Sequence, residues 1–294
     1  MKIKFVSILF ATVIMAFVSC SDQDDVHSGT GRLSVQLTDA PFPHNLVAEA
    51  NVTVFKVDAR NKVGADTDVE TDAENGSPFV VLMEQEIQVN LLELTNGVTK
   101  TLVDVDVPVG TYDLVRVYVK GINVVLTDGR VYDLKVPSGE QTGIKVFIKP
   151  GLTVAGGLSS DLLLDFDVSK SFVAKGNSKD VAGITGFNFK PVIKASNLST
   201  SGSLIGTVTT LQNDTSLGLE GAQISVFAAD TLNTTTFTDA TGSYMVMGLM
   251  EGNYDVSVEL EGYTSETASD VEIVAANKTE QRFELEPEVT VEEN

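Results

Sequence analysis

The 294-residue chain holds one cysteine, no tryptophan and two histidines, and only 20 lysines and arginines stand against 41 aspartates and glutamates. A single cysteine excludes a disulfide within the chain and a thiolate metal cluster. His27 lies in an acidic stretch near the N-terminus, and His44 follows Pro41 and Pro43. Neither has the neighbours of a histidine-based catalytic or zinc site, so no metal, no cofactor and no catalytic residue is expected. The shortage of cations argues against nucleic-acid binding, which needs basic patches to displace counterions. It argues equally against electrostatic docking on anionic lipid. After residue 19 no apolar run is long enough to span a bilayer. Helical periodicity is almost missing as well. One short candidate covers residues 90–94 and stops at Asn96-Gly97.

The chain opens instead on a compact targeting signal. Lys2 and Lys4 precede residues 5–18, apolar apart from Ser7 and Thr12. This run has the length of a signal-peptide core and is short for a transmembrane helix. It ends in Phe17-Val18-Ser19-Cys20, and Cys20 is the sole cysteine. The stretch resembles the lipobox of bacterial lipoproteins, with Phe17 where leucine is usual. The resemblance implies removal of residues 1–19 and lipidation of Cys20, so that acyl chains in a membrane are the expected anchor. Ser21-Asp22-Gln23-Asp24-Asp25 follows, and it resembles the export signal of surface-exposed lipoproteins in some Gram-negative bacteria. The expected location is the outer membrane, lipid-anchored and exposed on the cell surface, with residues 20–30 as an acidic tether. Without residues 1–19 the net charge is −23, of which −15 falls on residues 201–294, where Lys278 and Arg282 are the only cations.

The remainder reads as strands. Short segments rich in Val, Ile, Thr, Phe and Tyr recur between Gly, Asp, Asn and Pro, the pattern of an all-β sandwich or barrel. Residues 32–38 alternate, with Leu33, Val35 and Leu37 on one face. Further strands are expected over residues 51–58, 79–82, 86–91, 99–105, 112–119, 124–127, 131–136, 143–148, 161–168 and 187–195. Residues 59–78 read as a long polar hairpin loop, Asp128-Gly129 as a two-residue turn, and Gly121 as a bend. Leu33-Ser34-Val35-Gln36-Leu37-Thr38-Asp39-Ala40-Pro41, Pro108-Val109-Gly110-Thr111-Tyr112, Leu163-Leu164-Asp165-Phe166-Asp167 and Lys190-Pro191-Val192-Ile193-Lys194-Ala195 occur in that order. Through them residues 31–196 resemble an extracytoplasmic bacterial domain family, found largely in lipoproteins, that has no established function. The resemblance implies a β-sandwich and carries over no activity.

Residues 197–201 form a short polar linker that lets two domains sit close and reorient. Beyond it, Tyr254, Val256, Val258 and Leu260 alternate with Asp255, Ser257, Glu259 and Glu261, giving one buried and one wet face. Gly206-Thr207-Val208, Gly221-Ala222-Gln223-Ile224-Ser225-Val226, Thr238-Asp239-Ala240-Thr241-Gly242-Ser243-Tyr244 and Glu261-Gly262-Tyr263 make residues 202–286 resemble the carboxypeptidase regulatory-like domain. That implies a seven-stranded transthyretin-like, Ig-like sandwich, used as a structural or binding module and related to carbohydrate-binding-like folds. Residues 287–294 are an acidic tail. The expected architecture is therefore two β-sandwich domains in tandem.

Three groups are candidate sites. Tyr112, Arg116 and Tyr118 share one strand face with Leu114 and Lys120, opposite Val115, Val117 and Val119. An outward row of Tyr and Arg suits contact with a glycan or a surface protein, because both side chains combine contact area with a polar handle. If they point away from the core, truncating Arg116 or Tyr118 is cheap in stability. Asp165 and Asp167 lie about 6.6–6.8 Å apart on a strand face. They fit a solvated face paired with neighbouring cations better than a Ca²⁺ site or an acid/base pair. Asp239 and Gly242 read as a turn, since an Asp side chain bonds local N–H groups and Gly permits positive φ. The function read from these features is that of a surface-displayed, non-catalytic module binding carbohydrate or mediating adhesion. A structural or accessory role in an outer-membrane nutrient-uptake complex comes second and a hydrolase third. Oligomeric state is not encoded in any feature of the sequence.

The lipobox reading makes a direct prediction. Cys20→Ala blocks acylation and moves the protein out of membrane fractions. Metabolic labelling with a clickable fatty acid checks this, and label retained on the variant refutes it.

Overall fold

The computed structural model describes residues 29–40, 46–62, 78–136 and 139–288. Cys20, the acidic run behind it, both histidines, most of the loop at 59–78 and the end of the acidic tail lie outside the described residues. The first twelve strands are β1 (Thr30–Ala40), β2 (Val47–Asn61), β3 (Phe79–Met83), β4 (Ile87–Asn90), β5 (Lys100–Pro108), β6 (Gly110–Leu126), β7 (Val131–Leu134), β8 (Ile144–Val154), β9 (Ser159–Asp167), β10 (Phe172–Gly176), β11 (Ile184–Phe189) and β12 (Ile193–Asn197). Two single-turn helices, α1 (Gly139–Thr142) and α2 (Val168–Ser171), interrupt them. Nine more strands follow: β13 (Ser201–Gln212), β14 (Thr215–Gly218), β15 (Gln223–Ala228), β16 (Thr231–Phe237), β17 (Ser243–Met250), β18 (Gly252–Glu259), β19 (Glu266–Ile273), β20 (Lys278–Glu280) and β21 (Phe283–Glu284).

The fold is all-β, with two sandwiches in tandem. In the first, a sheet of order β12-β9-β1-β5 faces a sheet of order β3-β2-β6-β7, to which β4 is added beside β2 and β8 beside β6. Period-2 alternation decides what lies between them. Leu33, Val35 and Leu37 of β1 and Leu162, Leu164 and Phe166 of β9 are buried against Val52 and Val54 of β2, Val115, Val117 and Val119 of β6, and Val146 and Ile148 of β8. β1 and β9 run parallel with Val35 beside Leu162. The hairpin β10–β11 closes one end through Phe172 and Phe189, whose rings lie 5.1 Å apart.

Some boundaries differ from the sequence reading, for identifiable reasons. The two strands expected over 112–119 and 124–127 form one, β6, which runs to Leu126; Gly121, at φ +58°, bends it without ending it. Residues 187–195 form two strands, because Pro191 cannot donate to a ladder and separates β11 from β12. The expected loop from residue 59 starts later, since Ala59, Arg60 and Asn61 still pair with β6. The one helical candidate is a single 3₁₀ turn, Leu91–Glu93. Asn90 Oδ1 caps it by accepting the Leu92 N–H at 3.3 Å. The Asp128-Gly129 hairpin is present, its Gly129 N–H donating to the Leu126 carbonyl at 2.9 Å.

In the second sandwich a sheet of order β14-β13-β17, with β20 and β21 added beside β13, faces a sheet of order β16-β15-β18-β19. Leu204, Val208, Ile224, Val226, Tyr244, Tyr254, Val256, Val258 and Phe283 fill the space between. Asp239 makes the turn before β17, its Oδ1 accepting the N–H groups of Thr241 at 2.8 Å and Ser243 at 3.0 Å.

The sandwiches dock against each other. Leu163 lies on the face of β9 turned away from the first core, yet it is fully buried. Its cover comes from the second sandwich at Gly248, where an added Cβ would fall 3.2 Å from Leu163 and 3.0 Å from Ser196. Ser196 Oγ donates to the Gly248 carbonyl at 2.9 Å. On the far side of the seam, Asn96 Oδ1 accepts from Thr236 Oγ1 at 3.2 Å, and its Nδ2 donates to the Ser243 carbonyl at 3.4 Å. Gly97 stands so close to Met245 that a Cβ would fall 2.4 Å from its sulfur. Thus the short linker does not leave the domains apart; β12 and the turn after the 3₁₀ helix hold β16 and β17.

Asp39, at the end of β1, is 5% exposed. Its Oδ1 accepts the Val168 N–H at 3.1 Å, and its Oδ2 has no hydrogen-bond partner among the described residues. Burial pushes its carboxyl well above the usual range; the Val168 N–H opposes that, and the charges of Asp165 and Asp167 add to it. A raised folded-state pKa makes stability greatest below the unfolded value of about 3.9, and stability is lost as pH climbs toward the folded value. Asp39→Asn keeps an acceptor for Val168 and removes that loss. The variant's melting temperature exceeds the wild type's at pH 7.5 and converges with it toward pH 4. A deficit at pH 7.5 as large as that at pH 4 contradicts this assignment.

Candidate functional site

Tyr112, Arg116 and Tyr118 do not form an outward platform. The pairing of β6 with β2 slips where Leu114 and Tyr112 stand opposite Arg60 and Asn61, and the one extra residue on β6, Asp113, reverses the alternation there. Tyr112 is consequently 0% exposed within the first core, and its hydroxyl donates to the Pro108 carbonyl at 2.8 Å. Tyr118 is 7% exposed and donates its hydroxyl to Asp58 Oδ2 at 3.1 Å. Arg116 does lie on the outer side, 24% exposed, but its guanidinium grips Asp58 with two bonds of 2.7 and 2.6 Å. The guanidinium carbon sits 3.5 Å from the centre of the Phe79 ring. Lys56 and Lys120 extend the same face over Tyr118 and Phe55 and are tied to Glu84 and Glu86. The face is a laced lattice of cations, rings and carboxylates whose donors are already used. The bulge is silent in sequence, since nothing in residues 110–114 marks which of them is extra.

Asp165 and Asp167 also depart from a solvated face. Asp167 is 5% exposed and caps α2. Its Oδ1 accepts the Lys170 N–H at 3.0 Å and the Ser169 hydroxyl at 2.7 Å, and its Oδ2 pairs with Lys170 Nζ at 2.7 Å. Burial pushes this carboxyl up, but those donors outweigh it and hold the carboxyl below its ordinary value. Asp165 borders the seam between the sandwiches, beside a cavity of about 20 Å³ that it shares with Thr38, Asn96, Thr236 and Met245. That volume admits one water molecule. Among the described residues no cluster of three or more His, Cys, Asp or Glu side chains is arranged to hold a metal ion.

A larger concavity lies elsewhere on the seam, where sequence alone gave no pointer. β8 and β12 lie side by side at one side of the first sandwich, and the second sandwich rises beside β12 as a wall. The groove between them has a volume of about 610 Å³, within the range of ligand sites. Alternation on β8 sends Val146 and Ile148 into the core and leaves Lys145, Phe147 and Lys149 outside. Phe147 is 56% exposed, and across from it Met250 is 60% exposed. Lys194 of β12 lines the groove and donates its Nζ to the Asn233 carbonyl of the second sandwich. Among the described residues neither Lys145 nor Lys149 has a carboxylate partner. An exposed aromatic ring flanked by two cations without a carboxylate partner among the described residues, in a cleft of this size, is equipped to bind.

The Arg116–Asp58 pair yields a stability prediction opposite to the sequence expectation. Arg116→Ala strands a buried carboxylate and costs about 3–5 kcal/mol. Urea denaturation measures it, and a loss under about 1 kcal/mol returns Arg116 to the status of a free surface residue.

Known proteins place the chain by family. No curated protein matches it. Among solved structures, the minor pilin GBS52 of Streptococcus agalactiae is 11% identical over 89% of this chain and 98% of its own, with a TM-score of 0.28. The shaft pilin SpaA from Lactobacillus rhamnosus GG is 10% identical over 89% and 99%, with a TM-score of 0.26. At such scores the backbones do not share one arrangement, and what pilins do says nothing about this chain. Residues 203–286 match the carboxypeptidase regulatory-like domain, in agreement with the Ig-like sandwich of β13–β21. Residues 30–191, more than half of the chain, match the model of a domain of unknown function, DUF4382, and the protein belongs to that family.

Proposed function

We propose that the protein is a lipid-anchored, non-catalytic binding module displayed at the bacterial outer surface, with carbohydrate as its ligand and the groove between the sandwiches as its site. The observation that carries this reading is Phe147. A large apolar side chain left more than half exposed at the mouth of a 610 Å³ cleft loses the benefit of burial unless something covers it. The ring face suits stacking against the apolar face of a sugar, and the surrounding amines and carbonyls suit hydroxyl groups. Of the two acids weighed as an acid/base pair, Asp167 is committed to Lys170, as Asp58 is to Arg116 and Asp113 to Arg60. Anchoring rests on Cys20, and no helix among the described residues is long and apolar enough to cross a membrane. The carboxypeptidase regulatory-like half is consistent with a binding role, as its resemblance implies.

A glycan array probed with the detergent-solubilised chain tests the proposal. The wild type binds a defined set of glycans, and Phe147→Ala abolishes the signal while melting at the same temperature. Glycan binding unaffected by Phe147→Ala moves the site elsewhere. Hydrolysis of a bound glycan overturns the non-catalytic reading.

A further inference from the structure

Resting on the groove reading above, we infer that the ligand is an acidic oligosaccharide, one carrying carboxylate or sulfate groups, held with a sugar ring on Phe147 and its anions on Lys145 and Lys149. The charge distribution carries this. The chain has about twice as many acids as bases, so a surface taken at random is acidic. The groove inverts that balance, with Lys145, Lys149 and Lys194 on its walls against the single carboxylate of Glu251. Elsewhere the strand-borne arginines and several lysines are committed. Arg32, Lys56, Arg60, Arg116, Lys120 and Arg130 each pair with a carboxylate. What sets Lys145 and Lys149 apart is their place: they flank an exposed ring on the wall of a groove that a single carboxylate lines, and neither has a carboxylate partner among the described residues.

Spacing adds a constraint. Alternate positions of a strand stand about 6.6 Å apart, so the two amines arise about 13 Å from one another with the Phe147 ring midway. A chain of two or three sugars spans that distance, laying one ring over Phe147 and an anionic substituent toward each end. Lysine suits such a ligand because its flexible, point-like cation follows an anion whose position varies with linkage. An acidic peptide adding as a strand is less well served, since Pro150 removes an N–H from the β8 edge. The repulsive field of a strongly acidic protein would weaken capture of any anion from afar. The local lysines must act at short range, and binding should fall steeply with salt.

The test uses the full chain in detergent and four probes of similar length: an oligogalacturonate, a heparin-derived oligosaccharide, a neutral maltooligosaccharide and an oligoglutamate peptide. Calorimetry is run at low and high sodium chloride on the wild type, on Lys145→Gln/Lys149→Gln and on Phe147→Ala. The inference expects at least one acidic oligosaccharide to bind the wild type about tenfold or more tightly than the neutral one. The lysine variant loses that advantage and its salt dependence, and Phe147→Ala loses binding altogether. Both lysines are exposed, so an unchanged melting temperature confirms that the variant is folded. Neutral and acidic sugars binding equally, or an acidic sugar binding the lysine variant as well as the wild type, overturns the inference and leaves carbohydrate binding standing. Oligoglutamate binding as tightly as the acidic sugars overturns it in favour of an acidic polypeptide. Binding of none of the four overturns both this inference and its parent reading.

Discussion

The burial of Leu163 is the contact on which the rest of the molecule depends. It sits on the outer face of β9, where an isolated sandwich would show it to water. Covering a leucine is worth about 1.5–3 kcal/mol, and here the cover is the second sandwich at Gly248. The polar contacts of Asn96, Ser196 and Lys194 then fix where the second sandwich stands. Once it stands there, β12 lies at the bottom of a groove, and Lys145, Phe147 and Lys149 become one wall of a cleft. Neither sandwich alone encloses that space.

This dependence explains what could be read from the sequence. Alternation named the core correctly wherever a strand runs without interruption, as at Leu33, Val35 and Leu37 or at Tyr254, Val256 and Val258. Turn chemistry named Asp128-Gly129 and Asp239 because those residues act on backbone groups within a few positions. Tyr112 departs from that alternation because a bulge is a defect in pairing between two strands, here β6 and β2, and the sequence of one strand does not contain it. Arg116 was misread for a related reason. Its side chain does point outward, but its partner Asp58 comes from a strand about sixty residues earlier and is buried beside it. Phe147 drew no notice because the pattern of residues 144–148 is that of any half-buried strand. Its meaning comes from the second sandwich across the cleft.

The electrostatics follow the same division. Most of the net negative charge faces solvent or is matched locally, and the second sandwich is nearly without cations. Two groups stand out against that background for opposite reasons. Asp39 is an acid with too little solvation, held at the end of β1 where burial and its neighbours favour the protonated form. Lys145 and Lys149 are exposed bases with no carboxylate partner among the described residues, placed beside an exposed ring in the groove. The first is a feature of the fold and the second of the surface, and the family motif through Leu37-Thr38-Asp39-Ala40-Pro41 contains only the first.

The central claim is that two sandwiches joined by a short polar turn behave as one body with a groove between them. Backbone ¹⁵N relaxation of the full chain tests it most directly, because rotational tumbling is read separately for residues in β1–β12 and in β13–β21. A single correlation time shared by both halves is the predicted result. A distinctly shorter time for the second half, as for a bead on a flexible string, would contradict it.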